Sequence, residues 1–369
     1  MITGEYPPVL SGIADYSAQV AAGLTAAGDE VEVWAPGPMT ESAGVTAHPL
    51  PDQFHRKGRR QLAAGIGHAP EGMLLLVQYV PRAFGNQAMN VNWTRWLARP
   101  QRPPLWIVFH EVAERAEPGS SRRRQLQARV SQHMARQLRR AAARTFVSTP
   151  AAETWLQEMA PGSPAATWMP VPSNLPTEAD ASAVEAVRHT LTPNGGPLVA
   201  SFGRFGEFAR ICLRPLLMAL LERNPALSGL LIGAGGTVLR DEIGERAATL
   251  LPRLHAPGML APAAAAAHIA AADLLVQPYE DGVSGRRGTT MAALALGRCV
   301  LSHEGVATEP LWRQSQAVAL AAPVALRPAA EELLANPERR RLRGEAGRKL
   351  YQEQFALDHT VRRLRQLQS

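Results

Sequence analysis

Short apolar runs alternate with helix-like patterns along this chain of 369 residues. The runs that predict buried strands are VEVWAP, GMLLLVQYV, LWIVFHE, RTFVSTP, PLVASFG, LSGLLIGAG, DLLVQPY and RCVLSHE. The helix candidates between them include residues 15–27, 122–143, 214–223 and 289–296. This alternation is typical of an α/β protein with parallel sheets.

A proline-rich segment, WMPVPSNLPTEADAS, interrupts this alternation. Its prolines at 170, 172 and 176 disfavour regular structure and indicate a linker. We therefore predict an N-terminal domain of residues 1–172 and a second domain of residues 173–351, with a C-terminal helix, 352–369, that packs back on the first. Two α/β domains joined in this way are expected to hold a ligand in a cleft between the carboxyl ends of their sheets.

The charge of the chain is basic and comes almost entirely from arginine. The net charge is +7, and Lys57 and Lys349 are the only lysines. Arginine suits planar recognition of phosphate or carboxylate, although a GC-rich coding bias would produce the same preference. Cys212 and Cys299 are too few for a disulfide framework and lack metal-type spacing. No leader or membrane-spanning pattern is present, so a cytoplasmic protein is expected.

The stretch DGVSGRRGTTMAALALG sets two arginines between glycines at the start of a helix pattern. We expect the Gly285 and Gly288 amides to bind an anion, with Thr289 or Thr290 capping the helix. One of the arginines could instead point to solvent or to Asp281. The candidate anion-binding residues of this loop are Ser284, Gly285, Arg286, Arg287, Gly288 and Thr289.

Four further candidates lie at expected strand ends or helix starts. Gly12 opens a helix where a phosphate could approach backbone amides, although a plain turn needs the same residues. Arg204 and Arg210 follow a strand end and could bind a diphosphate, or could be ordinary surface arginines. His110 directly follows a strand, where it could accept or orient a proton or simply bond a neighbouring loop.

Two other functions are disfavoured. LLIGAGGTVLRDEI has Val238 in place of the third glycine of a dinucleotide fingerprint, and Arg253 lies near the place of the acidic residue, which argues against a nicotinamide-dependent dehydrogenase. No nucleic-acid recognition module is visible.

The arginine-rich segment 122–143 predicts either an amphipathic helix on anionic lipid at the inner membrane face or a solvated helix packed on its own sheet.

In order and spacing these motifs resemble a retaining glycosyltransferase of the GT-B fold, in family 4. The resemblance covers nearly the whole chain and includes VFHE, SFGR, LLIGAGG and the opening GEYPPVLSGIADYSAQVAAGL. It implies that Gly12 and Arg204 bind the donor diphosphate, that His110 touches the sugar, and that Arg210 could replace a missing lysine. The two glutamates of the family's Glu-x7-Glu motif fall at Ser284 and Ala292, so this region is divergent.

The resemblance also implies a reaction. A nucleotide-sugar donor, used as a co-substrate and with no other cofactor, transfers its sugar to a hydroxyl acceptor, which could be a glycan, a lipid or a small metabolite. No Asp-x-Asp motif occurs, and a metal-independent site is therefore expected. Loss of both glutamates leaves a second hypothesis open, a non-catalytic GT-B homologue that binds a sugar nucleotide or glycan or scaffolds a partner.

Overall fold

The protein is described here by a computed structural model that covers residues 1–68, 70, 72–99 and 103–366. The strands, in chain order, are β1 Ile2–Thr3, β2 Val31–Pro36, β3 Val45–Leu50, β4 Leu75–Tyr79, β5 Leu105–Phe109, β6 Arg144–Val147, β7 Thr167–Trp168, β8 Leu198–Phe202, β9 Ser228–Ile232, β10 Leu254–Gly258, β11 Leu274–Val276, β12 Val300–Ser302 and β13 Val318–Leu320.

The α-helices, in chain order, are α1 Gly12–Ala26, α2 Arg56–Gly67, α3 Val91–Leu97, α4 Arg122–Ala141, α5 Pro150–Met159, α6 Ala181–Leu191, α7 Glu207–Arg223, α8 Gly236–Gly244, α9 Pro262–Ala271, α10 Gly288–Ala295, α11 Pro310–Ser315, α12 Leu326–Ala335, α13 Pro337–Leu350 and α14 Leu357–Gln366. A π-helical turn, Tyr351–Phe355, follows α13. Each predicted helix is present, with ends that differ by up to seven residues: the segment predicted at 214–223 begins at Glu207.

The chain divides into two compact units, Met1–Pro170 with Leu357–Ser369, and Val171–Ala356. The sequence-based division was placed after residue 172. The predicted C-terminal helix, 352–369, begins later in the structure, with α14 at Leu357, and residues 367–369 lie outside the described residues. A Cβ added at Gly23 of α1 would lie 2.7 Å from Val361 of α14, so these two helices pack closely within the first unit.

The first unit contains a parallel sheet in the order β3-β2-β1-β4-β5-β6-β7. Its central strands are apolar along their whole length because helices cover both faces: all five residues of β5 are buried. β4 and β5 pair in register, from Leu75 opposite Leu105 to Tyr79 opposite Phe109. The core between sheet and helices is rich in aromatic side chains, among them Phe54, Phe84, Trp93, Trp96 and Phe109.

The second unit contains a parallel sheet in the order β10-β9-β8-β11-β12-β13. Its core is mainly leucine, with Leu213, Leu217 and Leu221 on one side of α7. The eight predicted strands correspond to β2, β4, β5, β6, β8, β9, β11 and β12, and all of them are internal. β3, β7, β10 and β13, which the sequence pattern missed, are the four edge strands of the two sheets.

Candidate functional site

α1 of the first unit begins at Gly12 with an ordinary helix cap. The Ser11 side chain accepts a hydrogen bond from the backbone N–H of Ala14 at 3.1 Å. A Cβ placed on Gly12 would have no neighbouring atom within 4 Å, and the backbone there does not adopt the left-handed conformation that favours glycine. Neither packing nor backbone geometry therefore requires glycine at this position. The space beside the helix start is open.

His110 lies directly after β5, as predicted, and is held by two neighbours. Its Nε2 lies 2.9 Å from Gln78 Oε1, and the Gln78 amide nitrogen lies 3.5 Å from the sulfur of Met1. The Gln78 oxygen can only accept, so His110 Nε2 carries the hydrogen and Nδ1 is the acceptor nitrogen. The ring meets Tyr16 edge to face, with centroids 4.6 Å apart.

Burial determines the protonation state of His110. Desolvation lowers the pKa of the imidazole from 6.5 to about 3, and no carboxylate of the described residues pairs with the charged form to offset the loss of water. The ring is therefore neutral near pH 7. A base this weak is suited to orienting a hydroxyl through Nδ1 rather than to removing its proton.

Arg204 of the second unit follows β8 in the loop that leads to α7. Its side chain is exposed, and within the part of the chain that the structure describes the guanidinium has no ion-pair or hydrogen-bond partner. The loop itself is tightly held: a Cβ on Gly233 would lie 2.3 Å from the carbonyl oxygen of Gly203, and one on Gly235 would lie 2.9 Å from that of Arg204. Close backbone packing thus explains these glycines, and it fixes the position from which Arg204 extends.

Arg210 lies on α7 and is engaged within the protein. Its guanidinium donates to Glu242 of α8 at 2.8 Å, and Arg214 shares the same carboxylate at 3.4 Å. The ion pair joins two helices of the second unit. A diphosphate would have to compete with Glu242 for this arginine.

The two arginines of the glycine-bracketed loop meet one carboxylate of the chain. Arg286 donates to Asp281 at 2.7 Å, and Arg287 donates to the other oxygen of Asp281. Arg287 also lies over the ring of Tyr279, 4.6 Å from its centroid. Burial lowers the pKa of Arg287, although the group remains charged at neutral pH. The alternative contact with Asp281 that the sequence suggested is thus made by both side chains.

The Gly285 amide is occupied, contrary to the expectation that it would bind an external anion. It donates to Glu309, whose two oxygens lie 3.0 and 3.2 Å away. The Trp312 indole donates to the same carboxylate at 2.6 Å. Burial raises the pKa of Glu309, and these hydrogen bonds act against that rise. Sequence reasoning missed Glu309 because it lies in a polar loop distant along the chain, with no motif around it.

The expected threonine cap is also wrong. α10 begins at Gly288 after Arg287, and no side chain caps it. The hydroxyls of Thr289 and Thr290 instead lie 2.7 Å from the Tyr279 hydroxyl, because both side chains are directed towards the end of the preceding strand. Ser284 is fully buried, and its hydroxyl has no hydrogen-bond partner among the described residues.

Comparisons with known proteins identify the architecture. No protein-family model matches the sequence, and no curated protein matches it. The structure is similar over its length to WaaG, a glycosyltransferase involved in lipopolysaccharide biosynthesis, with 14% identity, 100% of both chains covered and a TM-score of 0.70. The chain has the GT-B fold.

Two further solved structures are similar to the same extent. Sucrose-phosphate synthase from Thermosynechococcus elongatus is 19% identical, with 99% of this chain and 94% of that chain covered and a TM-score of 0.71. HepE from Anabaena, solved in complex with UDP, is 14% identical, with 99% and 98% covered and a TM-score of 0.70. At these identities the similarity establishes the fold and no more. Among the described residues, no helix combines the length and apolar character needed to cross a membrane.

Proposed function

We propose that the protein is a retaining glycosyltransferase that moves a sugar from a nucleotide-sugar donor to a hydroxyl acceptor without a metal ion. The observation that carries this proposal is the similarity of the entire chain to glycosyltransferases, one of them solved with UDP. Two features that a diphosphate would use support it: Arg204, which has no partner among the described residues, and the open helix start at Gly12.

The proposed reaction needs charge stabilisation more than proton transfer by side chains. The bond from the anomeric carbon to the diphosphate breaks, and the acceptor oxygen bonds to the same face of that carbon. The acceptor proton passes to the departing phosphate oxygen. Arg204 would stabilise the charge that develops on the diphosphate, and neutral His110 would orient a hydroxyl.

The absence of a metal from the proposal rests on residue types. No Asp-x-Asp motif occurs in the sequence, and the described residues include no group of three or more His, Cys, Asp and Glu side chains arranged to hold an ion. The cation at the diphosphate would then be a guanidinium. Donor binding and turnover should therefore persist in EDTA.

The first test is nucleotide binding. The protein is screened by thermal shift in EDTA against UDP, GDP, ADP, TDP and CDP, their sugar conjugates and NAD, and the best ligand is titrated by calorimetry. Arg204→Ala should lower its affinity about tenfold or more, as expected for loss of a charge-assisted hydrogen bond. Arg246→Ala, which removes an exposed arginine elsewhere in the same unit, is the matched control and should bind normally. Equal affinity in all three proteins would exclude this role for Arg204.

A non-catalytic GT-B homologue that binds a sugar nucleotide is the second candidate. It is favoured by the loop at 284–289, where Asp281 and Glu309 already occupy the arginines and the Gly285 amide. An assay for slow hydrolysis of the bound sugar nucleotide, with no acceptor present, distinguishes the transferase from the non-catalytic binding protein. Release of the nucleoside diphosphate supports the transferase, and NMR of the released sugar reports whether the anomeric configuration is retained. Tight binding without release supports the binding protein.

A further inference from the structure

A strongly basic groove lies on the first unit between α2 and α3. It has a volume of about 650 Å³. Five of the residues that line it are arginines, and the described part of its wall has no acidic residue. The arginines are Arg56, Arg59, Arg60, Arg95 and Arg99.

The charge of this groove is not offset by the protein. None of its five arginines forms an ion pair with a residue that the structure describes. Asp52 lies at the start of α2, but its carboxylate accepts the backbone N–H groups of His55, Lys57 and Gly58 at 2.9–3.1 Å. Elsewhere in the chain arginines commonly meet carboxylates, as Arg188 meets Asp273 at 2.8 Å. Clustered like charges repel one another, so an external anion would relieve this repulsion.

The base of the groove is rigid. Trp93 of α3 is fully buried, and its ring lies 4.6 Å from that of Phe54 and 5.2 Å from that of Trp96, which lines the groove. Leu62 anchors α2 in the same core. The two helices, which carry all of the groove arginines except Arg99, are therefore fixed before any ligand arrives, which reduces the entropic cost of binding.

We infer that this groove binds a phosphate-bearing group, separately from the proposed donor site. Guanidinium groups match phosphate oxygens in pairs of parallel hydrogen bonds, and five of them exceed the charge of one phosphate monoester. The fitting ligand is a diphosphate or two adjacent phosphates. These can belong to a free phosphorylated molecule or to lipid headgroups, which share this chemistry.

The test compares two triple variants of the full-length protein. The groove variant carries Arg60→Gln, Arg95→Gln and Arg99→Gln, all exposed positions, so folding should be preserved. The control carries Arg144→Gln, Arg246→Gln and Arg348→Gln, which removes the same charge from exposed positions outside both the groove and α4. Thermal melting confirms that both fold. Binding is measured at 0.15 M salt to inorganic pyrophosphate by calorimetry, and by sedimentation to vesicles of phosphatidylcholine with or without phosphatidylglycerol.

The expected result is at least a tenfold weaker affinity in the groove variant, or loss of one equivalent of pyrophosphate, with the control variant unchanged. Binding to pyrophosphate identifies a free phosphorylated ligand, and binding only to phosphatidylglycerol vesicles identifies lipid headgroups. Equal losses in both variants, or no binding of either probe by the unmodified protein, would overturn the inference. UDP affinity in the groove variant reports on the donor site independently, so failure of one proposal is distinguishable from failure of the other.

Discussion

The Glu309 carboxylate holds the backbone N–H of Gly285 between its two oxygens, at 3.0 and 3.2 Å. The hydrogen-bond donor of this loop amide is therefore already occupied within the protein, by the Glu309 side chain. The same is true of its arginines, which both meet Asp281. A glycine-bracketed pair of cations at a helix start is thus compatible with an internal structural role as well as with anion binding.

Glu309→Ala should destabilise the protein substantially. Glu309 is only 7% exposed and accepts from both the Gly285 amide and the Trp312 indole, so its removal leaves two donors without their partner. A loss of about 2–3 kcal/mol in the free energy of unfolding is expected from urea titration at pH 7. Glu304→Ala, which breaks an exposed pair with Arg313, should change the free energy of unfolding much less, because solvent screens that pair. An equal loss in the free energy of unfolding for Glu309→Ala and Glu304→Ala would show that the buried carboxylate does not stabilise the loop.

Asp281→Asn should strengthen diphosphate binding if Arg286 and Arg287 contact the donor. The substitution removes the negative charge that now pairs with both guanidinium groups and leaves them available to phosphate. UDP affinity, measured by calorimetry, should rise about threefold to tenfold. Glu304→Gln is the charge-matched control. If Asp281→Asn binds UDP no better than the unmodified protein, the arginines hold the loop and the anion-site prediction for them is wrong.

Gly12→Ala should weaken sugar-nucleotide binding without lowering the stability of the protein. A Cβ at this position meets no atom within 4 Å and alanine is the better helix former, so the free energy of unfolding should be unchanged or rise by about 0.5 kcal/mol. Sugar-nucleotide affinity should nevertheless fall severalfold, because the methyl group would occupy the space where a phosphate approaches.

Gly233→Ala, by contrast, should lower the free energy of unfolding. Its φ is +114° and an added Cβ would lie 2.3 Å from the carbonyl oxygen of Gly203, so a loss of about 2 kcal/mol or more is expected. For the first of these variants, Gly12→Ala, an unchanged affinity for the sugar nucleotide would show that the start of α1 is a plain turn.

His110 should make stability depend on pH in the acid range. Its pKa is about 3 in the folded protein and near 6.5 when unfolded. The unfolded chain therefore binds more protons between these values, and the stabilisation present above pH 6.5 is lost as pH falls towards 3. Between pH 7 and pH 5 the unmodified protein should lose about 1–2 kcal/mol more than His110→Gln. His133→Gln, at an exposed position on α4, should follow the unmodified protein, and identical slopes for all three would refute the assignment.

The sequence by itself determined the α/β architecture and the internal strands of both sheets except the two-residue β1. Buried parallel strands are apolar on both faces, and this gives a signal that does not depend on their neighbours, as in LWIVF of β5. Three of the edge strands, β3, β7 and β10, lack this signal because they are largely half-buried or exposed, and β13 is apolar but only three residues long. Most of β3, VTAHPL, is only partly buried or exposed.

Only the tertiary structure decided which polar groups meet. Glu309 reaches Gly285 and Glu242 reaches Arg210 across long stretches of chain, and Thr289 and Thr290 turn to the Tyr279 hydroxyl rather than to the helix start. Such pairs depend on distances between elements that no local pattern encodes. For the same reason the sequence identified arginine-rich segments but not which arginines are ion-paired. Those of the loop pair with Asp281, whereas the five between α2 and α3 form no ion pair with a described residue.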